Sequence, residues 1–376
     1  MSFSFWEKEA FLRHVDVAII GAGLVGLNAA LALREQRPDA QIVVLERHPL
    51  NGGGSSRNAG FACFGSPSEL LDDLQTLSED EMLSLVERRW KGLQALRATL
   101  GDDNIGWNPV GGTELFSNRE EALYQQCIEA LPSLNQLLKD IVGPDCYESA
   151  DELLAEQGLR GMTHALRTRY EGSIHTGRMY RALRRKAQMA GVDLLSGMDV
   201  KEVQDGPHGV ELSGDGWKLR AQQALVANNG FASTLLPGLD VLPARNLVMV
   251  TTPIKALRLR GTFHMERGYI YFRSVGEDRL LIGGARHLDK SWQDKPLAPV
   301  PDNIREVLLT LAREQLVPET SFAIDSEWLG YLGIGQNKQP IVESVSERLF
   351  CAVKMGGMGV AIGTQLGREA AALLLS

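Results

Sequence analysis

Residues 16–47 read DVAIIGAGLVGLNAALALREQRPDAQIVVLER, and the order of residue types in this run decides the fold. An apolar strand over 17–20 enters a turn carrying Gly21, Gly23 and Gly26. An Ala- and Leu-rich helix follows, and a second apolar strand over 42–45 ends at the acid Glu46. This is a βαβ unit with every feature that a dinucleotide requires. Gly21 permits the tight turn, Gly23 lets the backbone approach a pyrophosphate, and Gly26 lets helix and strand pack closely. The helix N-terminus offers unpaired N–H groups and the positive end of its dipole to the phosphates. Glu46 is placed to accept hydrogen bonds from a ribose. A carboxylate there, followed directly by Arg47, favours FAD or NAD, because the 2′-phosphate of NADP would be repelled.

The bulk of the chain agrees with an enzyme built around that unit. With 376 residues, it exceeds what one hydrophobic core supports, so two domains are expected. A formal net charge of -8 argues against nucleic acid as a partner, since affinity there rests on a basic surface. No apolar run reaches the ~18 residues that a membrane span needs. The first residues, MSFSFWEKEAFLRH, lack the pattern of a signal peptide, so a cytoplasmic location is expected. Four scattered cysteines, Cys63, Cys127, Cys146 and Cys351, form no C-x-x-C pair and suggest neither a disulfide framework nor a metal site. Cys63 reads as a small buried hydrophobe near the cofactor rather than a nucleophile.

After the βαβ unit, residues 51–66 read NGGGSSRNAGFACFGS, a polar backbone cradle able to donate N–H groups to an anion or a ring edge. Helical spacing recurs over 69–100 and 119–141, read as helices of a second domain. Residues 107–116 read as a strand pair or turn between them. Over 170–203 a turn, a helix from about 176 to 189 and a strand over 192–195 return the chain to the parallel sheet. Asp199 and Val200 follow, where an adenine edge would meet backbone. His175, just before the helix, reads as a cap or packing residue before a catalytic one. Residues 217–229 predict a strand pair ending in Gly230. The runs 243–254 and 269–284, with a hairpin turn at 275–278, predict an antiparallel sheet flooring a substrate pocket. At the end, RLFCAVKMGGMGVAIGTQLGREAAALLLS gives a second strand, glycine turn and helix, whose N-terminus also points positive dipole at a ligand.

Seven segments in this order carry a family resemblance: GAGLVG, SSRNAGF, EGSIHTGRMYRAL, ALVANNG, YIYFRSVGEDRLLIGGARH, WLGYLGIGQNKQPIVES and KMGGMGV. Together they resemble the D-amino-acid oxidase family of FAD enzymes, in the branch that looks like glycine oxidase, sarcosine oxidase and γ-glutamylputrescine oxidase. The likeness spans nearly the whole chain. It implies an α/β fold with a discontinuous FAD-binding Rossmann-like domain of glutathione-reductase type (14–85, 165–232 and 328–376). A substrate domain (86–164 and 233–327) built on an antiparallel sheet would cover the flavin. It further implies oxidation of the C–N bond of an amine or amino acid, with oxygen or another acceptor taking the electrons.

By this resemblance Gly21, Gly23, Gly26, Glu46 and Arg47 would hold the ADP half of FAD. Ser55, Ser56, Arg57 and Asn58 would lie along the pyrophosphate, ribityl chain and ring edge, and Val200 would meet adenine. Gly356, Gly357, Met358 and Gly359 would approach the pyrimidine side of the ring. Tyr269, Tyr271, Arg273 and Tyr331 would stand in the substrate pocket. The chain departs from its relatives at three places. Leu332 stands where glycine oxidase has an arginine for the substrate carboxylate, which leaves Arg245, Arg273 or Arg286 to replace it. Leu281 stands where sarcosine oxidase has its oxygen-activating lysine. Arg57 and the Leu332 region stand where some relatives attach FAD covalently, so non-covalent FAD is expected. Alternatives are a 2-hydroxy acid oxidoreductase or a flavin-binding protein without turnover.

Overall fold

The computed structural model describes residues 3–289, 292, 299–318 and 320–376. The described residues build two eight-stranded sheets and a small two-stranded one. The first sheet carries the hairpin Glu202–Gly206 and Gly209–Gly214 on the strand Trp217–Val226, and its other six strands run in the order Ile341–Ser344, Leu349–Val353, Trp217–Val226, Val15–Ile20, Ile42–Glu46, Asp193–Ser196. Its last five strands are mutually parallel. They are drawn from both ends and the middle of the chain, as a sheet sewn from both termini requires.

Parallel strands covered on both faces bury nearly every residue, and Val15–Ile20, buried except for the half-buried Asp16, sends its side chains into two cores. Val17 and Ile19 enter a core with the helices Leu24–Gln36, Thr176–Met189 and Gly359–Leu375. Val15, Ala18 and Ile20 enter another core with Val210, Leu212 and Leu219. The helix Glu79–Leu100 adds Leu85, Leu93, Leu96 and Leu100 to the first of these cores. It thus packs against the first sheet, while its Met82 and Val86 join the cluster around Phe116 and Tyr124.

The expected strand pair over 217–229 is instead one strand, Trp217–Val226, followed by a short 3-10 turn, Asn229–Thr234. Its hairpin partner is the preceding strand Gly209–Gly214. The chain turns back at 215–216, where Gly216 has φ +79°, and not inside the apolar run.

The second sheet runs Ile324–Ile334, Leu242–Thr251, Arg279–Gly284, Ile270–Val275, Thr262–Met265, Gly112–Ser117, Met162–Thr168, Glu148–Ser149. Its pairings are antiparallel except that Thr262–Met265 lies parallel to Gly112–Ser117, so the sheet expected to be antiparallel is mixed. Alternation sorts its two faces. Leu247, Met249, Phe263, Met265, Ile270 and Phe272 join a core with the helix Asp302–Leu311. Asn246, Val248, His264 and Tyr271, their sequence neighbours, face a cavity between the sheets.

Candidate functional site

That cavity, of about 320 Å³, extends from the glycine turn of the first sheet to the face of the second. At the turn, Gly21 has φ +109°, and a Cβ there would lie 2.8 Å from the Ala227 carbonyl oxygen. Gly26 does not line the cavity. Its missing Cβ leaves room for the Gly21 carbonyl and for Ile19, the close helix-on-strand packing expected of it. Gly23 starts the helix Leu24–Gln36 with no side-chain cap. Instead, the Ser55 hydroxyl reaches across to accept from Leu24 N at 2.8 Å. Glu46, 9% exposed, is oriented by three donors: His48 N at 2.9 Å, Ala22 N at 3.2 Å and Asn51 Nδ2 at 3.3 Å. Beside it Met198, Asp199 and Val200 line the wall, and the Arg47 guanidinium lies 4.0 Å over the Phe231 ring.

The loop 51–60 closes one side. Arg57 and Asn58 line the cavity, and Asn58 is fixed by its Nδ2 donating to Gly54 O at 3.0 Å and its Oδ1 accepting from Gly60 N at 2.9 Å. The Arg57 carbonyl accepts from Trp328 Nε1 at 3.0 Å. Ser56, expected beside its neighbours, does not line the cavity: its hydroxyl donates to Asn51 O at 2.7 Å and shapes the turn. Opposite, Gly356 and Gly357 take φ +56° and +94°, with nothing within 4 Å of a Cβ at Gly357. They lead through Met358 and Gly359 into the helix Gly359–Leu375, which again starts without a side-chain cap. The Cys63 sulfur lies 3.4 Å from the Met358 sulfur. Burial first, and Glu171 and Glu69 after it, push that thiol far up, away from the thiolate form that a nucleophile needs. Two helix N-termini therefore open on one cavity, an arrangement suited to negative charge at both places.

The far end is walled by side chains. Tyr269, Tyr271, Tyr331 and Leu332 line it. Arg273 does not. It shares a strand face with Tyr271, but its Nε donates to Ala59 O at 2.6 Å and its Nη2 to Ile174 O at 3.1 Å. The guanidinium is thus spent on pinning the loop 59–60 to the second sheet. Burial lowers its pKa to about 10. His175 lies outside the cavity lining and caps its helix, its Nδ1 accepting from Arg178 N at 3.2 Å.

Sequence reasoning missed Glu69, Asp72, Asn228, Asn246, His264, Arg267 and Lys338, all of which line the cavity. Lys338 lies 2.6 Å from Asp73 and 3.3 Å from Asp72. Burial works to lower its pKa, but Glu69, Asp73 and Asp72 together outweigh that and raise it. Glu69 carried a visible signal, the Ser66 capping box of its helix, yet nothing in the spacing tells which helical side chain turns inward. Asn228 Oδ1, Asn246 Oδ1 and His264 Nε2 are buried without a partner. Since buried polar atoms are nearly always satisfied, orphans on a cavity wall mark a place for a polar ligand. Backbone donors at two helix ends, a ribose-ready carboxylate and these orphans fit a dinucleotide carrying a pyrophosphate and a heteroaromatic ring.

Comparison with known proteins agrees with that chemistry. The solved structure of glycine oxidase from Geobacillus kaustophilus is similar at a TM-score of 0.74 and 23% identity, over 96% of this chain and 94% of that one. Iminodiacetate oxidase from Chelativorans sp. BNC1 is similar at 0.73 and 19%, over 96% and 95%. A "Probable oxidoreductase OrdL" of Rhizobium meliloti (strain 1021) is 24% identical, over 96% of this chain and 83% of that protein. The family model DAO, FAD dependent oxidoreductase, matches residues 16–373. This chain therefore belongs to the DAO family of FAD-dependent oxidoreductases.

Proposed function

We propose that this enzyme oxidises a C–N bond of an amine or amino acid using non-covalently held FAD. The observation that carries the reading is one cavity that joins two helix N-termini and Glu46 to a sheet face bearing tyrosines and orphaned polar atoms. Gly21, Gly23, Glu46, Arg47, Ser55 and Val200 would hold the ADP half. Arg57, Asn58 and residues 356–359 would hold the ring. When bound, FAD supplies the two-electron acceptor for hydride leaving the substrate's α-carbon, and the resulting imine hydrolyses in water.

The chain's own contribution is orientation, dryness and charge. The helix Gly359–Leu375 directs positive dipole at the ring position, where negative charge would develop. Burial raises the Tyr271 phenol well above its ordinary value, so it stays a neutral donor at the substrate face. Cys63, the cysteine on the lining, is kept protonated by burial, and Arg57 and Leu332 offer no attachment atom, in line with non-covalent binding.

The test is anaerobic mixing of the FAD-loaded protein with amines, amino acids and hydroxy acids, following flavin absorbance near ~450 nm. Bleaching by an amine or amino acid, with free amine or ammonia released, is expected. Bleaching by hydroxy acids alone would replace C–N with C–O oxidation, and no bleaching by any donor would remove the catalytic reading. Recovery of colour in air separates oxygen from another acceptor.

A further inference from the structure

Behind the cavity wall lies Glu114, a carboxyl 2% exposed. Both of its oxygens are met by one residue of the helix Pro67–Asp73: Ser68 Oγ donates to Oε1, and Ser68 N donates to Oε2 at 3.1 Å. The charges that act on it come from His264 and Glu69, with no lysine or arginine among them. Burial raises the Glu114 carboxyl, while the charge of His264 and the Ser68 donors pull it back down. A buried carboxylate is costly unless a cation pairs with it, and His264 is the group beside it that can become one.

The register of the second sheet sets the two side by side. Glu114, His264, Tyr271 and Gly283 form one row across four neighbouring strands, at the ~4.8 Å spacing of a sheet. His264, 8% exposed, lines the cavity and also a tight crevice that it shares with Glu114, Glu171 and Tyr147. Its Nε2 is buried without a partner. The other titratable groups on this part of the cavity are Glu69, Tyr271, Arg267 and the Lys338–Asp72 pair. Burial keeps Tyr271 and Tyr147 neutral and holds the Glu171 proton up to about 8. Arg267 is exposed, so water screens it.

An amine carries an extra proton below pH ~8 to 10, and hydride leaves the α-carbon only once the nitrogen has a free electron pair. Resting on the proposed C–N oxidation, we propose that His264 is the catalytic acceptor of the substrate ammonium's proton, and that Glu114 is the positioning residue that stabilises the imidazolium. One ammonium N–H bond breaks and one imidazole N–H bond forms. The pair left on the substrate nitrogen becomes the second bond of the imine as hydride departs to FAD.

Two measurements on the FAD-loaded protein test this. The first is anaerobic flavin bleaching from about pH 6 to about pH 10, with the amine or amino acid that bleaches wild type fastest. His264→Gln should be slower by about 100-fold or more at neutral pH, the worth of a positioned base, and should recover at alkaline pH, where the amine arrives neutral. His264→Asn serves if the glutamine variant loses its flavin. The second is an NMR titration of the histidine ring carbons, with the His264 line assigned by its loss in the variant. Glu114→Gln should lower the apparent pKa of that line by about one unit or more, a tenfold weaker hold on the proton.

An equal defect at every pH would mark a merely structural histidine and overturn the acceptor. An unmoved His264 line in Glu114→Gln would overturn the role of Glu114. If amines bleach wild type and His264→Gln alike, the acceptor fails and C–N oxidation stands. If no amine or amino acid bleaches wild type, C–N oxidation fails and takes the acceptor with it.

Discussion

At the Glu46 end the polar groups that wall the cavity are mostly fixed to the backbone: the glycine turn, the start of one helix held by the Ser55 hydroxyl and, further along, the start of another, beside Arg47, Met198 and Phe231. At the Tyr269 end it is walled by long side chains from separate elements. Glu69 and Asp72 come from the helix Pro67–Asp73, His264 and Tyr271 from the second sheet, and Lys338 from the loop after Ile324–Ile334. A backbone-built site tolerates little change of position, because its donors are fixed to the fold. A side-chain-built site is set by which residues happen to converge, and relatives with one fold can fill it differently.

The sharpest way to break that contrast is Gly26→Val. Any Cβ there is driven into the Gly21 carbonyl, and the branched side chain adds overpacking of about 1 to 3 kcal/mol or more. The helix N-terminus must then move away from where the pyrophosphate is proposed to lie. We expect protein recovered without FAD, read as loss of the ~450 nm band that marks the cofactor. Stoichiometric FAD in this variant would show that backbone position is not what defines the cofactor end.

The same contrast explains what the sequence discloses. Gly21, Gly23, Gly26 and Glu46 are legible because a backbone constraint leaves a spaced pattern of residue types within 31 residues of chain, 16 to 46. The strands 15–20, 42–46 and 349–353 and the helices 176–189 and 359–375 are legible for a related reason, since burial on both faces leaves a nearly continuous apolar run in a strand and burial on one side leaves a helical period in a helix. Lys338 and Glu69 leave no such trace. They meet across the cavity from positions 269 residues apart (338 − 69), and only the folded chain decides that Asp73 pairs with Lys338. Arg273 misled for the same reason. Its alternation with Tyr271 is correct, but the carbonyls of Ala59 and Ile174 capture it before it reaches the cavity.

Beneath the charged end lies Glu171, 2% exposed, its Oε1 accepting from Phe64 N at 2.8 Å and Gly65 N at 3.3 Å. Burial is the main cause that raises its carboxyl to about 8. The two N–H donors oppose that shift, and Glu69 and Glu114 add to it. The folded protein thus keeps a proton there that the unfolded chain releases near the ordinary carboxylate value. The stabilisation is complete below that value and is lost as pH rises through about 8. Glu171→Gln keeps an acceptor for both N–H groups and removes the titration. Relative to the variant, wild type should lose roughly 3 to 5 kcal/mol of stability across that window, read as denaturant midpoints at acid and alkaline pH. Parallel pH profiles would mean that the carboxyl is ionised throughout, and that this end is less dry than its burial implies.

Glu46→Gln sharpens the contrast from the other side. The amide keeps one oxygen, for Ala22 N and Asn51 Nδ2 on the side they now share, gives up the acceptor of His48 N on the other, and weakens the acceptor offered to a ribose. A loss of roughly 1.5 kcal/mol, about tenfold in FAD affinity, follows from replacing a charged acceptor by a neutral one. Unchanged FAD affinity, measured by fluorescence on release, would reduce Glu46 to a support for the turn.

The smallest effect belongs to His175, which lies outside the cavity lining. Its Nδ1 satisfies Arg178 N at the start of Thr176–Met189, and an exposed cap of this kind is worth about 0.5 to 1 kcal/mol. His175→Ala should lower the melting temperature slightly and leave kcat and KM unaltered, while His175→Asn, a good capping residue, should restore the melting temperature. The helix it caps carries Met179 and Leu183 into the core beneath the first sheet, so the loss is felt as fraying of one turn and not as displacement of the cavity. A tenfold fall in kcat, unrescued by asparagine, would place an imidazole in the chemistry. The charged end would then extend past the residues that line the cavity, and the division between a backbone-built and a side-chain-built half would have to be redrawn.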